Sequence, residues 1–585
     1  MTRSINQWIL TIAAAVIAVL VLLALAAPWL PIADPNASQL DQRLLPPLHP
    51  DAFLGTDTLG RDIFSRLIWG LRVSLLVAIA ATLVAAVIGS SIGILAGYAR
   101  SWFDQLAMRG IDLLMAFPYL ILALAIVAIL GPGLINALLA IAIVNIPFFA
   151  RTARGITLGL TREPFIEAAR MGGQNHLSVL FREVLPNVFP TLLITSTTTL
   201  GWMILETAGL SFLGLGAQPP TADLGSMLAD GRKLMLVHPH VALLPGLLIF
   251  VLVLGLNLLG DGLRDRLDPR LRGGALNAPG AATTVENASS GIGSETATAF
   301  RSPEAAATVE SESASSMVPN AKAEAPLLRI RDLVIEFGQG AGTVRAVDGF
   351  QLDIRPGQSV GLVGESGSGK SATAMAITRL LPSPPGRIVS GQIEFGGRNL
   401  LQMAAEDLRQ IRGRDIAYIF QDPLGSLNPL MPVGRQVAEA IRGTESFGSK
   451  AINQKVIDLL EETGLPDPES LRKVLPHELS GGQRQRIGIA MALANNPRLI
   501  IADEPTTALD VTVQRKVLEL LDSLRKKRGT ALLFISHDLA VVQALCSEIV
   551  VLKNGKIVES GSSQSVLSNP KADYTRQLIE AIPSL

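Results

Sequence analysis

Gly364-Glu365-Ser366-Gly367-Ser368-Gly369-Lys370-Ser371 has the spacing G-x-x-x-x-G-K-S. The apolar run Ser359 to Val363 leads into it like a buried strand, and Ala372 to Leu380 leads out of it with a helical pattern. Strand, glycine-rich loop and helix in that order form a phosphate cradle, because glycines let backbone N–H groups close on an anion at a helix N-terminus. In such a cradle Lys370 reaches the β- and γ-phosphates of a nucleotide, and Ser371 holds Mg²⁺. The loop therefore predicts an α/β domain that binds ATP.

Other segments of the same C-terminal region suit that ligand. Leu499 to Ala502 is a strand-like run that ends in Asp503 and Glu504. Asp503 is placed to act on Mg²⁺, directly or through water, and Glu504 to orient or deprotonate an attacking water. Gln421 follows the run Ile416 to Phe420, and His537 follows Ala531 to Ile535. Side chains at the C-terminal ends of strands face the ligand crevice in such sheets, which puts His537 in reach of a γ-phosphate. Leu479-Ser480-Gly481-Gly482-Gln483 opens a helix and makes a second anion-binding N-terminus. A second cradle makes sense if Ser480, Gly481, Gly482 and Gln483 face ATP held by another ATPase domain, head to tail.

Composition divides the rest of the chain. There are 585 residues, 50 Lys+Arg against 50 Asp+Glu, and a mean hydropathy of +0.39. The charge balance gives no argument for nucleic acid. The single cysteine, Cys546, excludes an internal disulfide framework. Nearly all long apolar runs lie before Gly260: Ile9–Leu30, Leu71–Tyr98, Ile111–Leu130 with a break at Pro118, Leu134–Ala150, Val188–Leu205 and Val241–Leu259. Each approaches the length that spans a bilayer. Arg151, Arg154, Arg162, Arg170 and Arg182 crowd the segment 151–187, and Arg264, Arg266, Arg270 and Arg272 follow the last run. Arginine marks the cytoplasmic side, so six spans result, with the N-terminus and the ATPase domain cytoplasmic and the first span uncleaved. Gly273 to Ala325 is rich in Ala, Ser, Thr and Glu without an apolar face and reads as a disordered linker. The chain thus parses into a helical membrane domain (1–272), a linker (273–325) and an ATP-binding domain (326–585).

The order of the phosphate loop, Gln421, Leu479 to Gln483, Asp503-Glu504, Thr507-Ala508-Leu509-Asp510 and His537 resembles an ATP-binding-cassette (ABC) ATPase, from Leu327 to about Pro583. The resemblance implies that Phe337 stacks on adenine, that Gln421 senses Mg²⁺ and the membrane partner, and that Asp510 lies in the contact between two ATPase domains. Leu54 to Asp62 (LGTDTLGRD), Leu210 to Gly216 with Gln218-Pro219-Pro220, and Asn257 to Asp265 resemble one inner-membrane subunit of the binding-protein-dependent dipeptide/oligopeptide/nickel importers. Glu167-Ala168-Ala169, Gly173 and Leu185-Pro186 are similar to those importers' coupling loop: a short amphipathic helix, a glycine break and a proline stop. That loop is expected to dock in a groove of the ATPase near Gln421. Gln421-Asp422-Pro423, Ser426-Leu427-Asn428-Pro429 and Tyr574-Thr575 extend the likeness to peptide importers.

What the resemblance implies is a type I importer-like permease fused to its ATPase, importing peptides across the bacterial inner membrane by ATP hydrolysis. The expected partners are a second permease subunit, a second ATPase and an extracytoplasmic solute-binding protein, in a hetero-oligomer. Nickel chelates, opines and glutathione-like compounds are alternative cargoes. A half-size exporter also joins six spans to an ATPase, but without the loop at Glu167. Two features depart from the family. Permease and ATPase are usually separate chains there, and some relatives carry a cysteine-rich iron–sulfur extension, which the lone Cys546 argues against.

Overall fold

The computed structural model describes residues 2–267, 325–338, 342–442, 448–506 and 510–580. Most of the expected linker (273–324), Arg270, Arg272 and Thr507-Ala508-Leu509 lie outside the described residues.

Each apolar run falls on a helix. Among the described residues, Ile63–Ala99, Leu134–Leu160, His176–Phe212 and His240–Gly262 are helices long and apolar enough to cross a membrane, and Leu10–Ala26 is a shorter one. The run Ile111–Leu130 is two helices, Trp102–Met115 and Tyr119–Leu130, bent by 88°. Pro118 sits at the break, where a proline cannot donate and the residue before it leaves the helical region.

Several helices outlast their apolar runs. Ile63–Ala99 starts well before Leu71 because the Asp62 carboxylate caps it, accepting from Ser65 N–H, and it stops at Arg100 in the left-handed region (φ +46°). Gly89, Gly93 and Gly97 let it lie directly on Leu134–Leu160: a Cβ on Gly93 would come within 2.2 Å of the Ala150 carbonyl oxygen. Small residues permit such approach where no water drives association.

The segment before this helix is pinned by charge. Arg61 Nε donates to Asp57 Oδ2 at 2.7 Å, Arg66 Nε lies 3.5 Å from the same oxygen, and all three side chains are at most 7% exposed. Asp57 Oδ1 also accepts from the Leu59 and Arg61 N–H groups. Much of the LGTDTLGRD stretch is therefore a structural knot. Asp57→Ala leaves two buried guanidinium groups short of their acid, a cost of about 3–5 kcal/mol. We expect it to lower the melting temperature of the detergent-solubilised protein well below that of Asp41→Ala; equal melting would refute the knot.

The expected polar stretch 211–237 holds a helix, Leu224–Arg232, which hydropathy does not reveal. Its cap, Asp223, accepts from Gly225 and Ser226 N–H and from Ser74 Oγ at 3.0 Å, tying it to Ile63–Ala99.

In the ATPase half the strands are β1 (Leu328–Phe337), β2 (Val344–Ile354), β3 (Ser359–Val363), β4 (Gly386–Phe395), β5 (Arg398–Asn399), β6 (Ile416–Ile419), β7 (Leu499–Asp503), β8 (Ala531–Ser536), β9 (Glu548–Lys553) and β10 (Lys556–Ser562). They form a six-stranded sheet ordered β10-β9-β3-β8-β7-β6 and a four-stranded sheet ordered β2-β1-β4-β5. The first is parallel except for β10, and β3, β7 and β8 are buried along their whole length, as their unbroken apolar runs require. The second sheet is antiparallel. Cys546 is buried beside Gly361 of β3, and burial pushes its thiol up to about 12, the behaviour of an inert packing residue.

Candidate nucleotide site and its seam with the membrane half

Residues 364–371 leave the C-terminal end of β3 and enter the helix Lys370–Ile377. Gly364 and Gly369 have φ of +155° and +103°; a Cβ on either would fall within 2.3 Å of a backbone carbonyl oxygen, of Leu552 and Ala346 respectively. Only glycine fits there. Glu365, Ser366 and Gly367 form the exposed crown of the loop, and the Glu365 N–H donates to Tyr574 Oη at 3.2 Å. Inside it, Lys370 Nζ donates to the Gly364 and Glu365 carbonyls at 2.8 and 2.9 Å. Burial lowers the Lys370 pKa, and the nearby Glu504 and Asp503 carboxylates oppose that shift. Ser368 Oγ is buried without a hydrogen-bond partner.

Parallel neighbours bring the other groups to the same edge of the sheet. Asp503 ends β7, Glu504 follows it, Gln421 follows β6 and His537 follows β8. Ser371 Oγ donates to Asp503 Oδ1 at 3.0 Å, and Tyr418 Oη to Asp503 Oδ2 at 2.8 Å. Burial raises the Asp503 pKa, and these two hydrogen bonds work against it. Tyr418 itself is raised well above the usual phenol range by burial and by Asp503. Glu504 is held at φ +43°, a conformation that costs energy in a non-glycine residue and clusters at functional sites. Its Oε2 accepts from Gln421 Nε2 at 3.0 Å and lies 3.5 Å from His537 Nδ1. Three strand ends thus meet on one carboxylate.

The arrangement fits a magnesium nucleotide. Ser371 and Asp503 present hard oxygen donors side by side. The orphaned Ser368 hydroxyl and the glycine-lined loop match an anion.

The remaining residues form other groupings. Ser480 caps the helix Gly481–Leu493: its Oγ accepts from Gln483 N–H at 3.3 Å and its N–H donates to Gln483 Oε1 at 3.0 Å. A Cβ on Gly482 would meet Val513 Cγ1 at 2.6 Å, and the Val513 N–H is held by Asp510 at 3.0 Å, so the two elements are packed together. Phe337 ends β1, part-buried, with its ring against Gly386 of β4.

The membrane half meets the ATPase through residues 164–187. The helix Pro164–Met171 sits on β6, where Ala168, Met171 and Gly172 line a groove with Tyr418, Phe420 and Ala440. Gly413 has φ +71°, and a Cβ there would lie 2.6 Å from the Met171 carbonyl oxygen. Burial raises the Glu167 pKa, and its charge is felt by Tyr418. Gly173 gives its carbonyl to Arg409 Nη1 at 3.2 Å. Beside it, Gln174 Nε2 spans Glu439 Oε2 (3.1 Å) and Glu183 Oε1 (3.4 Å), while Asn428 Nδ2 donates to Glu183 Oε2 at 2.5 Å. Asn187 Nδ2 donates to Asn428 Oδ1 at 3.1 Å, and Arg182 and Arg435 lie 3.8 and 3.5 Å from Glu439.

One expectation needs correction. Leu185-Pro186 is not a stop: a π-helical turn, Val179–Val184, runs straight into Leu185–Phe212, and Pro186 sits at the junction of the two. Both residues are exposed; Glu183 and Asn187 contact the ATPase. Sequence reasoning missed Gln174, Glu183, Arg409 and Glu439. Its one available signal was acids among apolar residues at 183 and 439.

Glu183 and Glu439 are 4% and 3% exposed. Glu183 lies before the apolar stretch that begins at Val188, in the protein–protein seam. Burial, with the neighbouring Glu439 carboxyl adding, pushes its pKa from 4.5 up to about 7. Protonation of Glu183 therefore favours the docked seam over the separated surfaces. The strength of the seam is full below about pH 4.5, declines as pH rises, and levels off above about 7. We expect wild-type coupled transport to weaken from pH 6 to 8, and Glu183→Gln to flatten that change. An equally steep decline in the variant would remove Glu183 as its source.

A phosphate loop, the adjoining oxygens of Ser371 and Asp503 and the Glu504 carboxylate, in a chain that also folds a bundle of apolar helices, define a membrane transport ATPase. Residues 89–273 match the family model of the binding-protein-dependent transport system inner membrane component, and 347–507 that of the ABC transporter. The chain is 45% identical over 259 residues to the oligopeptide transport ATP-binding protein OppD of Bacillus subtilis, covering 44% of this chain and 72% of that protein. It is 44% identical over 257 residues to the dipeptide transport ATP-binding protein DppD of Escherichia coli, covering 44% of this chain and 78% of that one. The peptidoglycan transport ATP-binding protein YejF of Agrobacterium fabrum is 49% identical over 258 residues, 44% of this chain and 47% of YejF. This chain belongs to the ABC transporters of the peptide-transport type, as a permease domain fused to an ABC ATPase.

Proposed function

We propose that the chain is the fused permease and ATPase of a binding-protein-dependent importer that carries di- or oligopeptides across the bacterial inner membrane. The observation that carries this reading is the seam: the Pro164–Met171 helix rests on the strand whose Tyr418 holds Asp503. A shift at the nucleotide thereby reaches the membrane helices through two side chains. The names of the relatives support peptide cargo, and the permease match supports a binding-protein-dependent system.

ATP with Mg²⁺ supplies a reactive phosphoanhydride. Residues 364–369 wrap its phosphates with backbone N–H groups, and Lys370 turns from the loop carbonyls to the β- and γ-phosphates. Ser371, Asp503 and Gln421 would hold the Mg²⁺ ion, which supplies a positive charge for the phosphates. Glu504 orients and deprotonates the attacking water, and His537 bonds the γ-phosphate. Phe337 stacks on the base. Ser480 to Gln483 act on the nucleotide of a second ATPase domain, with Asp510 in that contact. Closure pulls on residues 164–187 and turns the spans outward; hydrolysis resets them. The N-terminus and ATPase lie in the cytoplasm.

Proteoliposomes holding the assembled complex test this. ATP-dependent peptide accumulation is expected only with the solute-binding protein on the side opposite the ATPase. Peptide efflux, or uptake indifferent to that protein, would overturn the reading.

A further inference from the structure

A carboxylate lies among apolar residues of the membrane half with no part in the mechanism above. Glu206 lies between Leu205 and Thr207 and is the one charged residue of the helix Leu185–Phe212. Its Oε2 accepts from Asn145 Nδ2 at 2.7 Å, across to the helix Leu134–Leu160, and its Oε1 accepts from Trp202 Nε1 at 2.6 Å. Asn145 is 8% exposed and anchored by a second donation, to the Ile141 carbonyl at 2.9 Å. Among the described residues, these hydrogen bonds come from neutral donors. They fix the carboxylate without cancelling its charge, which is expensive at membrane depth unless the group faces water or a cation.

The surroundings say which. Trp202 and Tyr119 are each 47% exposed, with ring centroids 5.9 Å apart. Tyr119 is the first helical residue after the 88° break. Irregular backbone at membrane depth persists only where protein buries it or where it borders a water-filled cavity. A break beside two half-exposed rings and a carboxylate suits a face turned toward water rather than toward lipid. A carboxylate held by an indole N–H, with a second aromatic ring 5.9 Å from that indole, is the chemistry that takes an organic ammonium.

We infer that Glu206, with Trp202 and Tyr119, forms a binding station in the translocation pathway for the ammonium group of the transported solute. The inference rests on the importer reading. Every free peptide carries such a group at its N-terminus, and acetylation removes it.

The test measures binding of alanyl-alanine and N-acetyl-alanyl-alanine to the assembled complex in nanodiscs, without the solute-binding protein. Wild type is expected to prefer the free amine at least tenfold. Glu206→Gln should bring the ratio near one, and Glu206→Asp should restore part of it. A wild-type ratio near one, or a preference that survives Glu206→Gln, overturns the inference. Should that variant fail to assemble, Tyr119→Leu reads the same face: loss of free-amine binding alone supports the station, and no change sinks it. Absence of any peptide uptake by the wild-type complex with its binding protein is a different result, and it defeats the importer reading instead.

Discussion

Glu504→Gln is expected to lower ATP hydrolysis by about 10³-fold while leaving ATP binding intact. The reason is local. Glu504 is the carboxylate on which Gln421 and His537 converge, and its backbone is held at φ +43° to put it there. An amide has nearly the same shape and still meets Gln421, but it cannot take a proton from water. Lys370, Ser371 and Asp503 are untouched, so the nucleotide is still gripped. ATP should then hold the complex closed and stop transport altogether. Phosphate release and ATP retention, measured on the same preparation, check both halves. Hydrolysis within about tenfold of wild type would return the role to another group.

Asn428→Asp should nearly abolish transport at pH 8. The substitution is isosteric, and one oxygen of the new carboxylate would still accept from Leu430 N–H, as Asn428 Oδ1 does at 3.0 Å. What changes is the contact at 2.5 Å with Glu183 Oε2, where an N–H donor becomes a second carboxylate oxygen. With Glu439 alongside, three acids would share a buried seam. One unpaired buried charge costs about 3–5 kcal/mol, or about 10²–10³ in the docked population. Lowering the pH to 6 protonates the cluster and should recover part of the rate, and so should adding Glu183→Gln. Transport in the double variant no better than in Asn428→Asp would show that the seam does not act through this contact.

How far these features were readable from sequence depends on where their cause lies. Gly364, Gly369, Lys370 and Ser371 were readable because one contiguous loop must adopt one backbone path. The strands β3, β7 and β8 were readable because burial on both faces demands unbroken apolar runs. The antiparallel sheet was not foreseen: β2 is buried on alternate residues, a weaker pattern than a continuous run. Helix ends were misjudged for a different reason. Hydropathy reports where lipid is, whereas Asp62 and Asp223 decide where helices begin. The seam was the least accessible. Its expected outline, a short helix and a glycine, came from resemblance, but Asn428 and Glu183 stand 245 residues apart and each alone is an ordinary polar side chain.

The seam joins two parts of one polypeptide, and that alters what it must achieve. A joint between separate subunits has to survive dilution, so it needs a low dissociation constant of its own. Here covalent continuity keeps the two surfaces at a local concentration on the order of a millimolar, and a weak grip suffices. The joint is free to let go and be recaptured within each cycle without the motor drifting away.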